Sequence, residues 1–126
     1  GKVGALPYAM TLKELALFVK ERFGLPFITV YGEHAVEETV TRVAIAPGSG
    51  KSSIAYAEKA GAEVLITGDI GHHEGLDAVD MGMCVIDAGH YGLEQVFIDD
   101  MKDLIRTHFS DMNVITYKAG SPYKVV

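Results

Sequence analysis

The chain has 126 residues, of which 48% are hydrophobic, and this size and composition predict one folded domain over residues 1–126. A formal net charge of −6 argues against a nucleic-acid partner, and the apolar runs are too short to span a membrane. The single cysteine, Cys84, cannot form an internal disulfide, which suits a reducing compartment and predicts a cytoplasmic protein.

The first part of the chain predicts one helix and two strands. An extended lead-in over residues 4–7 precedes a helix that Thr11 caps, and Glu14 supplies the second half of a capping box. Apolar residues at helical spacing predict its buried face: Leu12, Leu15, Ala16, Val19 and Phe23. The β-branched runs at residues 26–31 and 40–46 predict strands, joined by a polar connection.

A glycine-rich loop over residues 47–53 follows the second predicted strand. A phosphate-binding Walker loop requires a glycine five residues before Gly50, but that position is Ile45, so the spacing argues against a nucleotide site. Two interpretations stand: a glycine turn with a serine cap, or a loop that shapes the mouth of a site elsewhere in the fold. Lys51 is expected to be solvated.

The rest of the chain alternates strands and helices. Helices are predicted at residues 53–60 and 72–80, strands at 63–67, 83–87 and 113–117, and a tail from Lys118. One long helix is predicted from His90 or Tyr91, with its apolar residues on a single stripe: Leu93, Val96, Phe97, Met101, Leu104 and Ile105. This alternation predicts an α/β fold with a mostly parallel or mixed sheet and helices packed on it.

Acidic and histidine side chains follow two of these strands. If a helix begins at Gly89, His90 and Glu94 project from one face, one turn apart, within reach of a single metal ion. Imidazole and carboxylate ligands suit zinc, manganese or iron(II) better than calcium or magnesium. The alternative is a histidine that caps a helix beside a solvated glutamate.

Asp69 and Asp87 occupy equivalent places after their strands. They serve either as helix caps or as functional residues that orient a ligating histidine or accept a proton from water. Of the adjacent pair His72 and His73, one ring is expected to face the crevice, and His73 is favoured. Cys84 lies in an apolar strand and is predicted to be a structural thiol; the remaining histidines, His34 and His108, are expected at the surface.

These segments resemble the Nif-like family of GTP cyclohydrolase I type 2 homologues, also called NGG-interacting-factor-three-like proteins. The resemblance lies in Gly4–Pro7 with Met10–Glu14, Ala46–Gly50, Ile66–Ile70 and, most strongly, Asp87–Glu94. It covers nearly the whole chain in order. The chain begins with Gly1 rather than Met and its first seven residues are like those of a chain interior, which predicts either a processed form or a piece of a longer protein. The resemblance implies that it is the C-terminal part of such a protein.

The resemblance implies the C-terminal half of a dinuclear-metal fold that forms toroidal hexamers. It carries over His90 and Glu94 as metal ligands, and Asp69 and His73 as catalytic candidates near the metal. Family members add a histidine pair and an aspartate from an N-terminal half that has no counterpart in this chain, and His72 and His73 lie in the wrong segment to replace them. The site is therefore expected to be incomplete here, and the metal can be absent.

The function that the resemblance implies is a metal-dependent, hydrolase-like protein of cyclohydrolase type, acting on a nucleotide-like small molecule. The alternative is a non-catalytic protein that binds metal or assembles into an oligomer. A homo-oligomer is expected in either case.

Overall fold

The computed structural model of the chain describes residues 1–121 and 123, which form two compact units. The first unit runs from Gly1 to Leu93, and the second begins at Glu94. The strands and longer helices are, in chain order, β1 (Lys2–Thr11), α1 (Leu12–Arg22), β2 (Thr29–Tyr31), β3 (Thr39–Ser49), α2 (Ile54–Lys59), β4 (Val64–Gly68), α3 (His72–Asp80), β5 (Cys84–Asp87), α4 (His90–Glu94) and α5 (Val96–His108). The assignment of one domain to residues 1–126 stays a prediction.

All five strands form one mixed sheet in the first unit, in the order β1-β3-β4-β5-β2. The three central strands are parallel, and the two edge strands run antiparallel to their neighbours. This confirms the predicted α/β class. Because β3, β4 and β5 are parallel, the loops that follow them gather at one edge of the sheet, which we call the carboxyl edge.

Apolar side chains cover both faces of the sheet, since residues alternate between the faces along each strand. On one face, Val64, Ile66 and Ile86 pack with the buried residues of α1. On the other face, Leu65 and Val85 pack with residues of α2 and α3. The first unit is therefore a sheet between two helical layers, with the central strands buried on both sides.

The capping box at the start of α1 is confirmed. The Glu14 N–H donates to Thr11 Oγ1 over 3.1 Å, and the Thr11 N–H donates to Glu14 Oε2 over 2.8 Å. The predicted apolar face is buried at four of its five positions, and the fifth, Phe23, ends the helix and is partly buried.

Three strand assignments in the first unit need correction. β1 is a full edge strand paired with β3, whereas only an extended lead-in was expected, because Gly4 and Pro7 interrupt the usual strand pattern. β2 has three residues rather than six. β3 continues through Pro47 to Ser49, because Ser49 pairs with Gly68 of β4.

The second unit departs further from expectation. The long helix predicted from His90 divides at Gln95 into α4 and α5, and no residue of α5, all of which is described, is buried. The strand predicted at residues 113–117 was wrong: this segment has no regular secondary structure, and its Ile115 and Tyr117 side chains are 87% and 83% exposed. A β-branched run forms a strand only beside a partner strand. The predicted tail is irregular through Ser121, and its residues 122 and 124–126 lie outside the described residues.

No helix among residues 1–121 and 123 combines the length and apolar character that crossing a bilayer requires.

Glu63, at the start of β4, ties that strand to β3. Its Oε2 accepts hydrogen bonds from the backbone N–H groups of Thr41 and Arg42 over 2.7 and 2.6 Å, and from the Thr41 hydroxyl over 3.0 Å. Partial burial raises the pKa of Glu63, but these hydrogen bonds together outweigh it and hold the pKa below the usual 4.5.

We therefore expect Glu63→Gln to be less stable than the parent protein at pH 7, with a difference that shrinks in acid. The folded-state pKa of Glu63 is depressed, so its stabilising contribution is complete above the unfolded-state pKa and is lost as the pH falls below 4.5. Urea unfolding of both proteins from about pH 7 to about pH 3 measures this. A difference that stays constant over this range would contradict the assignment.

Candidate functional site

The candidate site is built where β4 and β5 end side by side at the carboxyl edge. Thr67 pairs with Asp87 in parallel register, so the loops that follow the two strands lie next to each other. Gly68 is required at this position, because a Cβ atom there would lie 2.5 Å from both the carbonyl carbon of Gly89 and the nitrogen of His90. The close approach of the two backbones brings Asp69 to His90.

Asp87 joins the two loops through its carboxylate. Oδ1 accepts the backbone N–H groups of Asp69 and Gly89 over 3.0 and 2.9 Å, and Oδ2 accepts that of Ile70 over 2.8 Å. Of the two roles open to Asp87, this geometry supports the structural one, since both oxygens bind backbone groups. One such bond, from Gly89, is local but lies before α4 begins at His90, so Asp87 is not the helix cap that the sequence suggested; the other two bonds come from the neighbouring loop.

Asp69 orients His90. Its Oδ2 lies 3.2 Å from His90 Nδ1, and its Oδ1 accepts the His90 backbone N–H over 3.3 Å. Asp69 has a φ of +53°, a left-handed conformation that costs a non-glycine residue free energy and persists only where surrounding contacts impose it. Here the contacts are the hydrogen bonds that Asp87 accepts from Asp69 and Ile70.

His90 and Glu94 are the first and last residues of α4. The spacing of four places their side chains on one helical face. His90 is 45% exposed at its side chain, and Glu94 is also exposed. His90 Nδ1 faces the Asp69 carboxylate, and ligating histidines commonly have one ring nitrogen beside a carboxylate in this way.

The adjacent histidines at the start of α3 were expected to differ in exposure, with His73 facing the crevice, but they do not. Both His72 and His73 are exposed, and their rings meet edge to face with centroids 5.5 Å apart. The structure thus places His73 beside its helical neighbours rather than turned inward.

The glycine-rich loop contributes contacts that the sequence did not predict. Lys51 is exposed, as expected of a solvated lysine, and it also forms an ion pair with Glu74 of α3. The hydrogen bond and charge of Lys51 hold the pKa of Glu74 below its usual value. Beneath the loop, the buried Thr67 hydroxyl donates to the Ala46 carbonyl over 2.7 Å, and Gly50 packs against Thr67 where no Cβ atom would fit. The sequence signal for these buried contacts was a polar residue, Thr67, at the end of an apolar run.

The described part of the chain holds too few clustered ligands for a complete metal site. Within residues 1–121 and 123, no group of three or more His, Cys, Asp or Glu side chains is arranged to hold a metal ion. On α4, the His90 imidazole and the Glu94 carboxylate are donors of the kind that suits a transition metal, and the Asp69 carboxylate lies 3.2 Å from His90 Nδ1. These residues therefore fit part of the ligand set of a metal ion.

A separate cavity of about 380 Å³ lies near the opposite end of the sheet, and neither Asp69 nor His90 lines it. Its lining includes Cys84, which is half-buried as a structural thiol would be. Burial raises the pKa of the Cys84 thiol, and the negative charge of Glu38 raises it further.

We expect Cys84 to react slowly with iodoacetamide at about pH 8, because little thiolate is present in the folded protein. The same chain unfolded in urea should react at the rate of a free cysteine. Mass spectrometry of timed samples follows the alkylation, and equal rates in the two states would contradict the expectation.

Comparison with known proteins agrees with this fold. The family described as Duf34/NIF3 (NGG1p interacting factor 3) matches residues 1–122. Among solved structures, a Bacillus cereus protein related to NIF3 superposes on 98% of this chain and 35% of its own, with a TM-score of 0.82 and 26% identity. Staphylococcus aureus protein SA1388 superposes on 98% of this chain and 41% of its own, with a TM-score of 0.83 and 26% identity.

A similar sequence, named GTP cyclohydrolase 1 type 2 homolog, comes from Bacillus subtilis. It is 41% identical over 91 residues, which are 72% of this chain and 24% of the relative. The protein of the same name from Halalkalibacterium halodurans is 33% identical over 121 residues, which are 96% of this chain and 32% of the relative. The chain thus spans about a quarter to a third of these relatives' length, and it belongs to the Duf34/NIF3 family.

Proposed function

We propose that this chain supplies part of a divalent transition-metal site in a hydrolase-like protein, with His90 and Glu94 as the ligands. The observation that carries the proposal is the 3.2 Å contact between Asp69 Oδ2 and His90 Nδ1. A carboxylate on one ring nitrogen fixes the tautomer and the direction of the other, and ligating histidines are commonly held in this way. A strained Asp69 is the kind of feature that clusters at functional sites.

Zinc, manganese and iron(II) suit this pair of donors. Such an ion, when bound, supplies Lewis acidity that lowers the pKa of coordinated water. The chain's own residues have separate tasks: Asp69 holds the Nδ1 proton of His90, and Asp87 holds the loops that carry Asp69 and His90. His73, exposed at the start of α3, is proposed as a proton-transfer group that solvent and substrate can reach.

The remaining ligands would come from the part of the longer relatives that this chain does not match. The relatives' name, GTP cyclohydrolase 1 type 2 homolog, supports a cyclohydrolase-type reaction on a purine-nucleotide-like substrate as the proposed activity. This chain would then contribute one wall of a site that two parts of a longer protein complete.

A second candidate is a role in assembly, and the exposed apolar side chains of the second unit favour it. Val96, Phe97 and Leu104 of α5 are about half exposed or more. Large exposed apolar patches commonly mark protein–protein interfaces. A homo-oligomer, with a hexamer as the family resemblance implies, would cover such side chains without any need for catalysis.

Metal titration separates the two candidates. We expect this chain to bind Zn²⁺ and the bound ion to shift the His90 imidazole signals in ¹H–¹⁵N spectra, and we expect His90→Ala or Glu94→Ala to abolish Zn²⁺ binding. Asp69→Asn should weaken binding about 10- to 100-fold, because it removes the residue that orients the ligand. His34→Ala, at a histidine away from the carboxyl edge, is the control and should bind as the parent does. If His90→Ala leaves both Zn²⁺ binding and the sedimentation coefficient unchanged, the metal role is excluded and the assembly role is retained.

A further inference from the structure

The loop between β4 and α3 is held at Ile70 from two sides. The N–H group of Ile70 donates to Asp87 Oδ2 over 2.8 Å, and its carbonyl accepts a hydrogen bond from the Tyr31 hydroxyl over 3.2 Å. The Ile70 side chain is buried in the core beneath the loop. Because Ile70 directly follows Asp69, these contacts limit the backbone angles that Asp69 can adopt.

Tyr31 is itself rigidly placed. It is the last residue of β2, where it pairs with Val85 of β5, and its ring packs against the core between the sheet and α3. The ring lies against Gly75 of α3 so closely that a Cβ atom on that residue would overlap it. A hydroxyl group carried on so constrained a ring is fixed in position before it binds the loop.

We infer that Tyr31 is a positioning residue for the Asp69–His90 pair. By holding the Ile70 carbonyl, its hydroxyl helps to impose the left-handed conformation of Asp69, and that conformation directs the carboxylate to His90 Nδ1. The edge strand β2 thus acts on the site through one hydrogen bond to a loop carbonyl. The inference rests on the proposed role of Asp69 in orienting His90.

The test uses the ¹⁵N chemical shifts of the His90 ring in the metal-free chain, at a pH where the imidazole is neutral. The parent protein should show predominantly the Nδ1–H tautomer. Tyr31→Phe removes only the hydroxyl and should convert His90 to a mixture of tautomers, as should Gly75→Ala, whose methyl group displaces the Tyr31 ring. Tyr56→Phe, which removes the hydroxyl of an exposed tyrosine on α2, is the matched control and should leave the spectrum unchanged.

A purely structural role for Tyr31 has a different signature. If Tyr31→Phe lowers the urea midpoint while the His90 ring signals coincide with those of the parent, the inference is overturned. If Asp69 does not orient His90, the parent protein itself will show no preference for the Nδ1–H tautomer, and Asp69→Asn will not change the His90 signals. This result is seen before Tyr31 is changed, so it is distinguishable from a failure of the Tyr31 inference alone, and it overturns that inference as well.

Discussion

Gly68→Ala is expected to destabilise the protein by about 3 kcal/mol, at the upper end of the usual cost of overpacking. The added methyl group would meet backbone atoms of Gly89 and His90 at 2.5 to 2.8 Å, and backbone cannot move aside as a flexible side chain can. The loops after β4 and β5 would have to separate, which would also break the contact between Asp69 and His90. Urea unfolding followed by far-ultraviolet circular dichroism measures the loss.

Gly4→Ala is the matched control for this substitution. Gly4 lies in strand β1, and a Cβ atom there would meet nothing within 4 Å. The same chemical change should therefore be neutral or slightly stabilising, because alanine has less conformational freedom to lose on folding. Equal unfolding midpoints for Gly68→Ala and Gly4→Ala would refute the close approach of the two strand ends.

Asp87→Ala is also expected to lower the free energy of unfolding by about 3 kcal/mol, but for a different reason. The substitution leaves three backbone N–H groups without their acceptor, those of Asp69, Ile70 and Gly89. It also removes the contacts that impose the left-handed conformation of Asp69. We expect both a lower urea midpoint and loss of the Nδ1–H preference at His90.

Asp87→Asn should have a smaller effect than Asp87→Ala. Because asparagine keeps one acceptor oxygen, we expect the free energy of unfolding to fall by about 1 kcal/mol. Asp100→Ala, at an exposed position on α5, serves as the control and should change stability by no more than about 0.5 kcal/mol. An Asp87→Ala variant as stable as Asp100→Ala would show that the carboxylate does not join the loops.

Local sequence patterns predicted the elements whose determinants are themselves local. The capping box of Thr11 and Glu14 located the start of α1, and the bounds of α3 match the structure at both ends. The apolar run before Asp69 predicted a buried interior strand, which is β4. In each case, the residues that decide the structure lie within a few positions of one another.

The errors arose where pairing partners are distant in sequence. β1 is a strand because it pairs with β3, from Lys2 with Ile45 to Thr11 with Thr39, and Gly4 and Pro7 gave no reason to expect this distant pairing. Residues 113–117 have a strand-like composition, yet they form no strand in this chain. Strand formation depends on a neighbour that composition does not reveal.

The candidate site was predictable in part for the same reason. The spacing of His90 and Glu94 and the place of Asp69 after a strand are visible in the sequence. The sequence does not show the strained φ of Asp69, which depends on contacts with Asp87. It also does not show the ion pair of Lys51 with Glu74, which lie 23 positions apart. Those contacts required the strand order, which brings the three loops to one edge.

Anomalous diffraction at the zinc edge, from crystals of this chain grown with Zn²⁺, would locate the bound metal. We expect the strongest peak at the His90 imidazole and the Glu94 carboxylate on α4, and we expect His90→Ala to remove it. A peak at His72 and His73 with none at His90 would contradict the proposed site, because it would assign the metal-binding role to the exposed pair on α3.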